Sequence, residues 1–277
     1  MESILLLNAR RRVFLVEKMK EYIKENDLPI KILACDSNEQ DPIRFFSDGF
    51  KMLPPIKDDS FLNELEIYVI SENIIGMMVW NDNDFSYIQK KRQIINSMGI
   101  KILMPDDEAL SICNDKRKTN DFITALNILT PFIHDFNELT ELDQSKFPLF
   151  IKPYDGSGSM FCYKLEDIDS LRLLYKQVPN PIIQDFIEGT HYTVDLFCNL
   201  QYEPLAIVPR KRLKVRDSEA LIAKIALEDD IVKISYQIAK SLKIIGPMKI
   251  QYIKNSRGEL FLIEINPRIS GGLDLSI

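Results

Sequence analysis

Phe261-Leu262-Ile263-Glu264-Ile265-Asn266-Pro267-Arg268 reads as an apolar strand carrying two polar groups that an ordinary core strand would not hold. Side chains on a strand alternate faces, so Leu262, Glu264 and Asn266 are expected on one side and Phe261, Ile263 and Ile265 on the other. A carboxylate beside a carboxamide is costly to bury unless something compensates, and a divalent cation does so. Working outward, residues 248–253 read as a second strand, and Asn255-Ser256-Arg257-Gly258 is turn chemistry between the two. A four-residue loop sets Lys249 opposite Glu264 and Gln251 opposite Leu262, which leaves Gln251 on the face of Glu264 and Asn266, one diagonal step away. The hairpin then offers Gln251, Glu264 and Asn266 as oxygen ligands, with Arg268 just past the strand end. Hard oxygen ligands without His or Cys suit Mg²⁺ and not zinc. A sheet with one wet face and a chance Glu-x-Asn accounts for the same residues.

The whole chain has 277 residues, 45% hydrophobic and 27% charged, which is globular composition with length for two or three compact units. Its net charge of −6 and lack of a basic tail give no electrostatic footprint for nucleic acid. The four cysteines (Cys35, Cys113, Cys162 and Cys198) are scattered without a CxxC pair, and three of them lie in or beside apolar stretches and read as reduced, structural thiols of a cytoplasmic protein. The apolar run at residues 4–7 is too short for a signal peptide, and its arginines follow it instead of preceding it. Nothing approaches the roughly 20 apolar residues of a membrane span.

The first half alternates. Strands are expected at residues 4–7, 30–35, 74–80 and 100–104, and helices at 13–26, 61–70 and 85–98, which argues for a parallel sheet with helices on its faces. That order, with Asp36 at a strand end, evokes a dinucleotide-binding fold. The turn that should carry G-x-G-x-x-G instead reads Asn8-Ala9-Arg10-Arg11-Arg12, so the topology is kept and a dinucleotide cofactor rejected. Those arginines suit a solvated loop or an anionic substrate. Asn81-Asp82-Asn83-Asp84 sits where open α/β sheets place ligands, and helix capping explains it equally well.

From residue 150 the pattern changes. Phe150-Ile151-Lys152-Pro153 is a strand ending in a lysine, followed by Asp155-Gly156-Ser157-Gly158-Ser159-Met160 and a further strand over 161–165. Such a loop offers backbone N–H groups and hydroxyls to phosphates, or is a plain hairpin turn, and it is not a Walker loop. Pro181-Ile182-Ile183-Gln184-Asp185-Phe186-Ile187-Glu188-Gly189 follows, then a strand over 192–198. A strand running into a short connector can present main-chain groups to a flat heterocycle.

In this order, with Asn114-Asp115-Lys116 opening a helix, these features resemble the ATP-grasp superfamily, most closely its branch similar to the carbamoyl phosphate synthase large chain and carboxylate–amine ligases. The resemblance implies α/β and α+β architecture: a Rossmann-like preATP-grasp domain over residues 1–112, then a two-lobed ATP-grasp domain over 113–277. The smaller lobe is expected at about 147–187 and the C-terminal lobe at 188–277. It also implies roles. Lys116 and Lys152 would contact ATP phosphates beneath a mobile loop of Gly156, Ser157, Gly158 and Ser159. Asp185 and Ile187 would bond adenine through the backbone, flanked by Gln184 and Phe186. Gln251, Glu264 and Asn266 would bind Mg²⁺, with Mn²⁺ as a substitute. Arg268, together with Arg210 and Arg212 after a strand, would stabilise the transferring phosphoryl group; a solvated basic edge strand is the alternative for Arg210 and Arg212.

One departure stands out. The family pattern after the hinge glycine is G-x-E-Y, whereas here it is Gly189-Thr190-His191-Tyr192, so an imidazole replaces an anionic acceptor. The other histidine, His134, is expected in a loop with no role. The implied chemistry is phosphoryl transfer from Mg-ATP to a small carboxylate, followed by capture of the acyl phosphate by an amine or ammonia. No Ser-His-Asp or Cys-His constellation is present to suggest another route. A catalytically impaired nucleotide-binding protein and one subunit of a multi-chain synthase-like assembly are the alternatives, the second because the sequence stops at Ile277, soon after the Arg268 motif. Bicarbonate, an amino acid and a peptide all fit as acceptor, and dimers are common among relatives.

Overall fold

The computed structural model describes residues 1–10, 12–80, 82–139, 144–156, 158–216, 219–270, 272–273 and 276, which form two compact units divided between Met104 and Pro105. The first unit runs β1 (Glu2–Leu7), α1 (Val13–Glu25), β2 (Ile30–Asp36), β3 (Gly49–Met52), α2 (Phe61–Ser71), β4 (Ile74–Val79), α3 (Asp82–Ser97) and β5 (Lys101–Leu103). Its strands form one parallel sheet in the order β3-β2-β1-β4-β5. Leu5, Leu6, Leu7, Ile32, Leu33 and Ala34 are buried without alternation, as a sheet covered on both faces requires. β3 has no counterpart in the sequence expectation, because Gly-Phe-Lys-Met shows neither period nor length and lies half-exposed at the sheet edge. The glycine-free first turn is built with positive φ at Asn8 and Arg10 and is tied by Asn8 Nδ2 donating to Asp84 Oδ2 at 2.8 Å. Arg10 is exposed; Arg11 and Asn81 lie outside the described residues.

The second unit comprises α4 (Asp107–Asn114), α5 (Lys116–Ala125), β6 (Ile133–His134), α6 (Phe136–Leu139), β7 (Leu149–Pro153), β8 (Tyr163–Leu165), α7 (Ile168–Tyr175), β9 (Pro181–Asp185), β10 (Thr190–Cys198), β11 (Pro204–Arg216), β12 (Glu219–Ile225), α8 (Asp229–Ser241), β13 (Gly246–Lys254) and β14 (Leu260–Asn266). The division falls ahead of the boundary expected at residue 112, because Ala109 and Cys113 of α4 belong to the core of this unit. A five-stranded antiparallel sheet, β12-β11-β10-β13-β14, packs one face on α4, α5 and α8 through Ile123, Val194, Ile231, Ile238, Ile250 and Leu262. A four-stranded sheet, β6-β9-β7-β8, packs on α7 through Leu149, Ile151, Leu171 and Ile183. This smaller lobe begins at β6, upstream of residue 147. His134 therefore lies in a strand and not in a loop; a two-residue strand carries no readable period. No helix among the described residues is long and apolar enough to cross a membrane.

The hairpin of β13 and β14 corrects the expected register. Lys254 pairs with Leu260, so the loop has one residue more than the turn signal suggests, and Gly258 closes it with φ +81°. A bulge at Ile263 then shifts the pairing once more, placing Gln251 opposite Glu264 and Lys249 opposite Asn266. The bulge also breaks the alternation of faces. Leu262 and Ile265 both stay in the core, while Ile263 and Glu264 both turn toward the opposite side. The expected grouping of Leu262 with Glu264 is thus wrong, because Leu262 and its partner Tyr252 are held at 1% exposure under α8.

Candidate functional site

Within the second unit, a cavity of about 550 Å³ lies between the two sheets. The smaller lobe contributes Phe150 and Lys152 from β7 and Gln184 and Asp185 from β9. The larger sheet contributes its non-core face: His191 from β10, Arg210 and Arg212 from β11, Gln251 from β13, and Glu264 and Asn266 from β14. Lys116 at the first turn of α5, Gly156, Gly158 and Ser159, the connector residues Phe186 and Ile187, and Arg268 complete the walls. Every site residue expected from sequence therefore faces one cavity except Ser157, which lies outside the described residues.

Local structure explains each placement. Asp115 caps α5 by accepting from Arg117 N at 2.9 Å, and Lys116 Nζ donates to Gly156 O at 2.6 Å, which pins the glycine loop to the helix start. A side chain at Gly156 would meet Pro153 Cβ at 2.9 Å, and Gly158 and Ser159 both have positive φ, so the loop folds back over the cavity in a shape few residues allow. At the other end, the connector 186–189 turns β9 into β10 where the Gly189 backbone packs on Lys254: a Cβ there would sit 2.2 Å from the Lys254 carbonyl oxygen. Phe186 is held by Phe150, ring centroids 6.4 Å apart, and by Lys164 Nζ at 4.9 Å from its ring.

Charge is distributed unevenly. Lys152 is 5% exposed and forms no hydrogen bond or ion pair among the described residues. Burial pushes its ammonium down to about 8; Glu264 opposes that shift and Lys116 adds to it. Glu264 has Lys116 Nζ at 3.9 Å, beyond hydrogen-bond range. Burial lowers His191, helped by Arg212, so its imidazole is neutral at pH 7. Burial also lowers Arg212, with Arg210 adding, and raises the Cys162 thiol beside the same cavity.

Arg210 differs from the expectation of a solvated edge strand. β11 is paired on both sides, and Arg210 is 2% exposed with Nε donating to Asp195 Oδ2 at 2.8 Å and an Nη donating to Ser270 Oγ at 3.0 Å. Asp195 itself was not a sequence candidate; one aspartate in a strand gives no signal until its partner on the neighbouring strand is known. His134, expected to be idle, places Nε2 2.7 Å from Asp185 Oδ1 at the hinge. Lys249 and Thr193 also line the cavity without having been candidates, because period-2 alternation alone does not say which face is wet.

The donor set fits a hard cation. Gln251, Glu264 and Asn266 all line one wall and carry side-chain oxygens, while the buried Asn266 Nδ2, unpartnered among the described residues, is a donor that suits an anion and not the cation. No cluster of three or more His, Cys, Asp or Glu side chains occurs among the described residues, so any shell these groups built would be open and not a closed cage. That is the arrangement Mg²⁺ takes when phosphate and water complete its six ligands.

The comparisons agree with this geometry. The family model described as ATP-grasp domain covers residues 113–272, and one described as PylC-like, N-terminal domain covers 4–103. The 3-methyl-D-ornithine–L-lysine ligase of Methanosarcina mazei is 24% identical over 86% of this chain, which spans 59% of that protein's length. The carbamoyl-phosphate synthase of Methanobrevibacter smithii is 21% identical over 97% of this chain and 74% of its own. Among solved structures, the biotin carboxylase–β-γ-ATP complex from Campylobacter jejuni superposes with TM-score 0.80 at 15% identity, covering 99% of this chain and 67% of that one, which shows a shared fold. The cavity between two sheets, its glycine loop and its hairpin of Gln251, Glu264 and Asn266 all fall within residues matched by the first model, and the chain belongs to the ATP-grasp family.

Proposed function

We propose that this chain carries out the ATP-dependent step of a carboxylate–amine ligase, activating a carboxylate as an acyl phosphate for capture by an amine or ammonia. The observation that carries the reading is Lys152, a buried cation with no hydrogen bond or ion pair among the described residues, facing the hairpin of Gln251, Glu264 and Asn266 across one cavity. Lys152 and Lys116 supply positive charge to phosphate oxygens, and Gly156 to Ser159 close over them. Gln251, Glu264 and Asn266 hold Mg²⁺, or Mn²⁺ in its place, which neutralises phosphate charge when bound. Arg268 and Arg212 lie at the same wall and stabilise charge developing on the transferred group. The named activities of the relatives, a lysine ligase and a carbamoyl-phosphate synthase, support this reaction class without fixing the acceptor. Free, buried Cys35, Cys113 and Cys198 favour the cytoplasm as its compartment. A silent nucleotide-binding protein is the second reading, favoured by the neutral His191 in place of a carboxylate.

The test is calorimetric titration with a non-hydrolysable ATP analogue, with and without Mg²⁺, beside Glu264→Ala. Binding is expected to tighten with Mg²⁺, the variant to lose that gain and all turnover, and its circular dichroism to remain native. Phosphate release from a panel of carboxylates by Glu264→Ala would remove the metal assignment; Mg²⁺-dependent binding without any turnover by the wild type would favour the second reading.

A further inference from the structure

The five-stranded sheet ends on one side in β12, whose outer edge has no neighbouring strand among the described residues. Natural edge strands are usually blunted by charge, proline or extreme shortness. β12 has seven residues, and its middle reads Ala220-Leu221-Ile222-Ala223. Leu221, Ile222 and Ile225 are each about half exposed, as are Leu213 and Val215 on the paired strand, and Leu227 just beyond is 71% exposed. Scattered exposed leucines are unremarkable, but five large aliphatic side chains spread over both faces of one two-stranded ribbon, with Leu227 just beyond it, mark a contact surface that an added strand would cover.

Charge narrows the partner. Arg210 is neutralised by Asp195 and Arg212 faces the cavity, which leaves Lys211, Lys214 and Lys224 as the outward charges among the described side chains of this ribbon, on a chain whose total is −6. Lys214 and Lys224 are exposed beside the aliphatic side chains. We infer that the open edge of β12 docks an extended, acidic and apolar peptide segment of another protein, which adds as a sixth strand. Unpaired main-chain groups of an edge strand are satisfied in register by a peptide backbone, whereas a lipid surface offers no such ladder. A second copy meeting edge to edge would bring two ribbons of net positive charge together, which an acidic segment avoids. Ala220 lines the nucleotide cavity and Arg212 pairs with Ala223, so an added strand stiffens a ribbon that walls the site. The inference does not depend on the ligase reading.

Titration of the full chain with fluorescein-labelled acetyl-(Glu-Val)₄-amide tests it, followed by anisotropy and by amide hydrogen exchange. A (Lys-Val)₄ peptide and a (Glu-Val)₄ peptide with alternate N-methyl groups serve as controls. Saturable binding by the acidic peptide alone is expected, slowed exchange across residues 219–225, and weaker binding when salt is raised from about 50 mM to about 500 mM. Ile222→Asp should weaken the peptide by roughly tenfold or more while leaving binding of the ATP analogue unchanged. The inference is overturned by absence of saturable binding at millimolar peptide, or by equal binding of the lysine peptide. It is also overturned if the chain sediments as a dimer with β12 protected, or if it floats with phosphatidylserine vesicles while ignoring the peptide.

Discussion

Raising the pH should weaken nucleotide binding and stabilise the empty protein at the same time, and both effects trace to Lys152. Its ammonium, 5% exposed and without a protein partner among the described residues, falls from the ordinary 10.5 to about 8 chiefly by burial. Below pH 8 the charge is present and phosphate binding is at its plateau. Above it, a proton must be taken up before the phosphate can be met, and affinity drops until the pKa of the bound state is reached. Between pH 7 and 9.5 the protonated fraction falls about thirtyfold, equivalent to about 2 kcal/mol of affinity. Phosphate ionisation does not compete, since its last pKa of about 6 lies below this window. Stability runs the other way. With the folded pKa below the unfolded one, the unfolded chain holds more protons between about 8 and 10.5, so unfolding free energy rises with pH there. The fall from 10.5 to about 8 corresponds to roughly 3 kcal/mol of cost at pH 7. Calorimetry of the ATP analogue at pH 7, 8, 9 and 9.5, in two buffers of different ionisation enthalpy, measures the affinity and the proton uptake together. Lys152→Arg should flatten the profile, and Lys152→Met should raise the melting temperature of the empty protein at pH 7 while losing the nucleotide. An affinity that does not change from pH 7 to 9.5, or that falls identically in Lys152→Arg, would refute the reasoning.

Three further outcomes follow from the same geometry. Gly189→Ala forces a Cβ to within 2.2 Å of the Lys254 carbonyl oxygen, backbone against backbone, and should cost at least ~2 kcal/mol in urea unfolding while weakening the nucleotide. Asp195→Ala leaves Arg210 buried without its carboxylate and should cost about 3–5 kcal/mol, with Asp195→Leu combined with Arg210→Met recovering most of it in thermal melts. His191→Glu restores an anionic acceptor beside Arg212 and should tighten the ATP analogue by roughly 1 kcal/mol at pH 7.5, read by the same calorimetry.

The main elements of both units were legible because their signals are local. The buried strands of the first unit are continuous apolar runs, the helices start at Asp115 and similar caps, and the glycine loop announces its own backbone. What escaped were properties that only pairing creates. The register of β13 and β14 depends on a fifth loop residue and on the Ile263 bulge, and neither alters composition or spacing. The ion pair of Arg210 with Asp195 joins neighbouring strands fifteen positions apart, so Arg210 looked like one more basic residue of an exposed ribbon. His134 gained its contact with Asp185 through a two-residue strand too short to show a period.

Lys152 and Arg210 show how the structure separates two cations that sequence treats alike. Both are at least 95% buried, and both line the same cavity. Arg210 has its charge met internally by Asp195 and its remaining reach taken by Ser270, and a Cβ at Gly272 would lie 2.8 Å from its guanidinium. Its desolvation is therefore compensated whether or not a ligand is present, and its effect on the site is to hold the segment after Arg268 against β11. Lys152 has only the more distant charge of Glu264, which offsets its burial in part, and the protein carries an electrostatic cost at neutral pH for keeping it there. Selection for stability alone would replace it with an apolar side chain of the same length. On the proposed reading, a buried cation beside that glycine loop and hairpin acts as a binding residue, and phosphate is the anion that would satisfy all three.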